Sequence, residues 1–217
     1  MLWAGFYDGD PRGLTQRALQ DFANMVDTSI VHPGSILGKV VQKSNDLLGC
    51  RGDNGASRPC CCVPGTRVID KGPVVGFWTG ASRFFVHGMA LKSQASVVAV
   101  LNKGLDPEKE WSLHKSVFWN YELPTLEFEI ADPEHLDFRP QLLLVDMRGT
   151  CEDTARLVTG KLARYRHQKV KAWLIAKPII CFDCPEGQCD LDRALATRVR
   201  SCLGEHAPSC PRFEYCT

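Results

Sequence analysis

The chain has 217 residues, 44% hydrophobic and 24% charged, an ordinary globular composition with length for one well-buried domain but short for two. Its formal net charge of +1 excludes a global basic field able to hold a long nucleic acid, so any nucleic-acid contact must be local. No apolar run approaches the ~18 residues of a membrane-spanning helix, and the N-terminus lacks a basic-then-apolar leader; the expectation is a soluble, intracellular protein.

In chain order, Met1 to Gly13 is aromatic and turn-rich and reads as an arm packed on the domain surface. Leu14 to Val26 places Leu14, Ala18, Leu19, Phe22 and Val26 on one face of an amphipathic helix. A second helix is expected over Ile36 to Leu48, with Lys39 and Lys43 one turn apart on its polar face. Gly49 to Gly65, rich in Gly, Pro, Ser and Cys, reads as an insertion loop, and its Arg51-Gly52-Asp53 as a plain turn. Arg67 to Asp70 is a short strand. Lys71 to Gly80 follows as a glycine-containing turn that leads into a helix through Ala81, Phe84 and Phe85, a form that lets backbone approach a ligand closely.

Ala95 to Leu101 is a buried strand followed by Asn102. Leu105 to Ser116 reads as a connector, Val117 to Asn120 as a short edge strand, and the alternating Thr125 to Ile130 as a half-exposed strand. The organising stretch is Gln141 to Lys177. An apolar strand, Leu142 to Val145, ends at Asp146. Glu152 to Tyr165 has Ala155, Val158, Leu162 and Tyr165 at helical spacing, and Val170 to Ala176 reads as a second apolar strand ending at Lys177. Strand, helix, strand is the unit of a parallel sheet, and such sheets bind ligands at their carboxyl ends. Asp146 and Lys177 are therefore expected to face one crevice, although Asp146 could also cap the helix that follows it. A helix over Leu191 to Leu203 and a last strand over Arg212 to Cys216 complete the domain.

Eleven cysteines without a leader suggest a reducing compartment and mostly free thiols. Cys181-x2-Cys184-x4-Cys189, with Cys202, His206 or Cys210 as a fourth ligand, has plausible zinc spacing within a loop at 181–190; free thiols remain the favoured reading.

Lys39, Asp146, Lys177 and Glu214, in that order, resemble the Lys-Asp-Lys-Glu tetrad of the FtsJ-like RNA ribose 2′-O-methyltransferases. Gly38-Lys39-x2-Gln42, Arg67-Val68-Ile69-Asp70-x-Gly72 and Asp146-Met147 are most similar to the viral, nidovirus-type enzymes. The resemblance covers roughly residues 30–217. It implies one Rossmann-like α/β domain with a mostly parallel, doubly wound sheet. S-adenosylmethionine would lie against Asp70, Gly72, Pro73, Gly76, Asn102, Asn120, Asp146 and Met147, and capped RNA over the carboxyl edge.

In this family the lysine matching Lys177 is the general base. A neighbouring cation and partial burial push a lysine's pKa down towards neutrality and make it usable. Lys39 (with Lys43 as its rival) and Glu214 would tune and orient it, and Asp146 would favour the sulfonium. The resemblance further implies a cytoplasmic viral replication complex, with another replicase subunit as partner. The mechanism needs no catalytic metal, although magnesium could assist RNA binding. Two alternatives stay open: 2′-O-methylation at internal RNA sites, and a non-catalytic, zinc-stabilised RNA- or protein-binding domain.

Overall fold

The apolar runs dictate the centre of the molecule. Val97 to Leu101 and Leu142 to Asp146 are buried throughout, as strands covered on both faces must be. In the computed structural model they are β2 (Ser96–Leu101) and β3 (Gln141–Asp146). With β1 (Leu2–Ala4) and β4 (Ile180–Asp183) they form one sheet in the order β1-β2-β3-β4, every neighbouring pair parallel. The structure describes residues 2–4, 16–30, 36, 39–40, 73–101, 118–147, 151–164, 167–183 and 191–203.

Period-2 alternation sends the strand side chains into two cores. Val97, Ala99, Leu101, Leu142, Leu144 and Cys181 face a cluster with Val86, Leu126, Ile130, Val158, Leu162 and Trp173. Val98, Val100, Leu143, Val145, Ile180 and Phe182 face another with Leu19, Phe22, Val26, Leu195 and Val199. Helices thus cover both faces. α1 (Gln16–Met25) and α6 (Arg193–Ser201) lie on one side; α2 (Pro73–Leu91), α3 (Leu123–Ala131), α4 (Cys151–Arg164) and α5 (Gln168–Ala176) lie on the other. Each fully buried Leu, Ile or Phe contributes about 1.5–3 kcal/mol by leaving water, so these two clusters hold the layers together.

Helix ends are set locally. Asp192 caps α6, its carboxylate accepting the Leu195 amide at 2.8 Å. α1 and α2 both end in a left-handed residue that is not glycine, Asp27 (φ 57°) and Ser93 (φ 45°). In each case the next amide reaches back into the helix, Thr28 to Ala23 and Gln94 to Met89.

Several expectations need correction. Residues 2–4 are an edge strand of the sheet rather than part of a surface arm. Pro73 and Gly76 lie inside α2, so the expected glycine turn does not extend over residues 73–80; proline is suited to a helix's first turn, where its missing N–H leaves no bond unmade. The segment expected as an edge strand around Asn120 is a short π-helix, Phe118–Glu122, that runs into α3. Thr125 to Ile130 is helical, not extended. Val170 to Ala176 is also helical, with Val170 and Trp173 buried one turn apart and the Trp173 indole donating to the Pro140 carbonyl at 2.8 Å. The strand that follows β3 in the sheet is instead Ile180–Asp183.

Candidate metal centre and the strand-end carboxylates

α2 and α3 pack side by side over the sheet, and three imidazole and carboxylate groups meet in their seam. α3 carries Glu129 near its C-terminus. The chain then breaks at Asp132-Pro133, and the Asp132 carboxylate accepts the Glu134 amide at 2.8 Å, capping the 3-10 turn Pro133–His135. That turn brings His135 back over Glu129. The His135 carbonyl is held by the Phe138 amide at 3.1 Å and by the Arg139 guanidinium at 3.4 Å. His87, near the end of α2, supplies the third group.

One carboxylate oxygen serves each ring. Glu129 Oε1 is 3.0 Å from His87 Nδ1, in hydrogen-bond geometry. Glu129 Oε2 is 2.7 Å from His135 Nδ1, but the approach is not along a hydrogen-bond direction, and both atoms are buried without a hydrogen-bond partner. The Glu129 and His135 side chains are 5% and 10% exposed, whereas His87 is 42% exposed. One ligand atom from each residue falls within 4.8 Å of the others. A buried carboxylate between two imidazoles can be an ion pair with protonated histidine or a set of metal ligands. The His135–Glu129 contact is within ion-pair distance, yet it lacks the direction of a hydrogen bond, so the directional bonding of these two buried atoms is unused.

Two further carboxylates of this layer are buried. Burial pushes Glu122 up to about 7 against a weaker opposing hydrogen bond from Ser82, and one of its oxygens has no hydrogen-bond partner. Burial also raises Glu127, opposed by the charge of His167. On α4, Lys161 lies over the Trp119 ring, 4.1 Å from its centroid, and donates to the Trp119 carbonyl; burial lowers its pKa to about 8.

At the carboxyl edge, Asp146 pairs in register with Leu101 on one side and Asp183 on the other, and is fully buried. Both aspartates serve the first turn of α4. Asp146 Oδ2 accepts the Thr154 hydroxyl at 2.6 Å, and Asp183 Oδ1 accepts the Cys151 amide at 2.7 Å. Beside them, Cys151 and Cys181 form a disulfide. Met147 is buried next to Asp146, its amide donating to the Leu101 carbonyl at 3.1 Å.

Lys177 is elsewhere. It caps α5 and precedes β4, where Gln141 Nε2 donates to the Pro178 carbonyl at 2.6 Å. Gln141 opens β3 and Asp146 closes it, which sets the two ends roughly 17 Å apart at about 3.3 Å per residue. Lys177 therefore stands at the amino edge, opposite Asp146, and the expected carboxylate–amine crevice is not formed. The cause is the helical α5, which returns the chain to the start of β4. Lys39 is exposed on helical backbone. Glu214, Lys43, Asp70, Gly72 and Asn102 lie outside the described residues, as do Cys184 and Cys189. Cys181 and Cys202 are disulfide-bonded, which corrects the expectation of free thiols for these two positions and removes both as zinc thiolates. Cys151 and Cys181 are 30 residues apart in sequence, yet the pairing of β4 beside β3 brings their Cα atoms within 5.7 Å.

Sequence reasoning missed His87, Glu129 and His135. The only trace is Glu129 followed, after an Asp-Pro break, by His135; nothing in one sequence pairs them with a histidine on another helix. Comparison with protein-family models, with curated proteins and with solved structures finds no match for this chain.

Proposed function

We propose that this α/β protein is metal-dependent, holding one divalent transition-metal ion of the zinc class through His87, Glu129 and His135. Two imidazoles and one carboxylate are a donor set suited to zinc, and three protein ligands with one position left to solvent is the form of catalytic rather than structural sites. The single observation that carries this reading is the pair His135 Nδ1 and Glu129 Oε2: buried, 2.7 Å apart, and not hydrogen-bonded. A bound ion supplies Lewis-acid polarisation at its open position. The chain itself fixes the ligands on two packed helices and the 3-10 turn that follows one of them, and leaves the approach open on the side of His87. The test is metal content after incubation with zinc and exhaustive dialysis. One equivalent per chain is expected, lost in His135→Ala and in Glu129→Gln. Absence of retained zinc, or unchanged retention in both variants, would sink the reading.

A second reading is favoured by Asp146, a buried carboxylate at the carboxyl end of a parallel strand. It is the Rossmann-like, S-adenosylmethionine-dependent 2′-O-methyltransferase that the tetrad resemblance implies, acting on capped RNA without a catalytic metal and assisted by a replicase partner. With Lys177 at the far edge, this reading needs a different base. It gains nothing from strand order, because the described strands run consecutively without the reversal that opens a ligand crevice in doubly wound sheets. Calorimetric titration with S-adenosylmethionine, followed by label transfer to a short capped RNA, decides it. Binding that Asp146→Ala abolishes would support the reading, and no heat of binding would remove it.

A further inference from the structure

α6 carries a basic row on the side turned to α1. Arg193, Ala196, Thr197 and Arg200 recur at spacings of three and four, so they stand one above another along the helix. With Asn24 and Met25 at the end of α1 they line a groove of about 580 Å³ between the two helices. It lies on the face of the sheet opposite α2 and α3 and owes nothing to the metal reading. Its floor is apolar, with Ala196 buried and Met25 half-buried against the second core. Its charge is all of one sign. Neither Arg193 nor Arg200 has an ion-pair partner among the described residues, and no described carboxylate lines the groove. The acids closest in sequence are engaged elsewhere: Asp192 caps α6 through the Leu195 amide, and Asp21 pairs with Arg17 at 3.8 Å. The Thr197 hydroxyl donates to the Arg193 carbonyl at 2.8 Å. Asn24 Oδ1 accepts from Gln20 Nε2 at 2.8 Å, which leaves the Asn24 amide hydrogens as donors.

Helix electrostatics accounts for one of these arginines and not for the other. Arg200 is in the last turn of α6, where a cation favours the carbonyl end of the helix; Arg193 is the first residue, where a cation opposes the macrodipole. We propose that the groove binds a small organic phosphate, its head held by Arg193 and Arg200 and its body laid on Met25 and Ala196. The head follows from charge and shape. A phosphate monoester carries nearly two negative charges at neutral pH, which two guanidinium groups balance, and the guanidinium fork matches phosphate oxygens. The arginines are seven residues apart, roughly 10 Å along the axis. Two long side chains at that separation can close on one head group beside Thr197, with Asn24 as a further donor from α1. The body follows from volume, because the groove has the size of small-molecule sites and exceeds what a bare phosphate fills.

The experiment titrates the full chain with phenyl phosphate, benzoate and inorganic phosphate by calorimetry at a salt concentration of ~0.15 M. EDTA is present throughout, so that no metal centre takes up the phosphate. Phenyl phosphate is expected to fill one saturable site per chain, at least about tenfold more tightly than benzoate. The double variant Arg193→Gln, Arg200→Gln should weaken it by at least about tenfold. Both side chains are exposed, so the fold does not depend on them. Arg198, whose guanidinium lies 5.6 Å from the Phe182 ring centroid and outside the groove, is the control for net charge. Arg198→Gln should leave the affinity within about twofold. No saturable site, an affinity that the double variant keeps, or an equal loss in Arg198→Gln would overturn the proposal. Benzoate bound as tightly would overturn the phosphate head, and inorganic phosphate bound as tightly would overturn the body. A single-stranded oligonucleotide that binds more tightly than phenyl phosphate, and is lost in the same double variant, would assign the two arginines to a nucleic-acid backbone and overturn the small-ligand proposal.

Discussion

His135 Nδ1 and Glu129 Oε2 are buried 2.7 Å apart without a hydrogen bond between them. A ligand that binds only the folded state stabilises it, by about 2.7 kcal/mol at one hundred times its dissociation constant. Zinc should therefore raise the melting temperature of the wild type and leave that of His135→Ala unmoved. Protons compete with the metal for imidazole nitrogens, so the zinc-induced shift should shrink as pH falls from 7.5 towards 5. Thermal melts with and without zinc at several pH values check both statements.

Glu122 links stability to pH in the opposite direction from an ordinary ion-paired acid. Its folded-state pKa is raised from 4.5 to about 7, so between those values the folded chain holds a proton that the unfolded chain has lost. Stability falls as pH rises through this window. At 1.36 kcal/mol per pKa unit the effect is on the order of 3 kcal/mol. Glu122→Gln keeps the shape and a hydrogen-bonding group towards Ser82 while removing the charge. It should be more stable than the wild type at pH 8, by about 2–3 kcal/mol, and indistinguishable near pH 4. Urea denaturation at both pH values measures the difference.

The Cys151–Cys181 disulfide closes a loop with a sequence separation of 30 residues. Constraint of the unfolded chain by a loop of this size is worth about 3–4 kcal/mol in the chain-entropy view. Cys151→Ala with Cys181→Ala should lower the urea midpoint accordingly, and a reductant should lower the double variant by less than the wild type, because the Cys151–Cys181 bond is already gone from it while the disulfide of Cys202 is common to both.

Ser93 adopts φ 45° at the end of α2 and its side chain is exposed. A residue with a Cβ is strained there and glycine is not. Ser93→Gly should stabilise the protein by about 0.5–1 kcal/mol, a gain that offsets the greater freedom of glycine in the unfolded chain.

The parts of the fold legible in the sequence are those whose pattern has only one physical solution. Val97 to Leu101 and Leu142 to Val145 are apolar on every residue and could only be covered strands. Leu19, Phe22 and Val26, and likewise Ala155, Val158 and Leu162, recur at helical spacing with polar residues between them. Val170 to Ala176 and Thr125 to Ile130 fit either period over so few residues, and packing decided for helix. Leu126 and Ile130 are one turn apart and buried together, while the alternation of Glu127 and Glu129 that suggests a strand arises because both carboxylates are buried, beside His167 in one case and His87 and His135 in the other. Such burial depends on partners from other elements. For the same reason Asp146 could be placed at a strand end from its own segment, whereas the edge on which Lys177 falls depended on the conformation of the whole stretch from 168 to 176.

The disulfide has one more effect, on what happens when the chain is cut. Any single backbone break between Cys151 and Cys181, including one in the connection from α4 to α5, leaves the two fragments covalently joined. Asp183 also holds the Cys151 amide, so β4 would stay docked at the first turn of α4 in the nicked molecule. A protease-nicked molecule of this kind would run as an intact chain until reduced. Where β4 is joined to the rest of the protein is thus a matter of cross-link as much as of sequence, and the polypeptide could in principle be opened in that segment and remain one molecule.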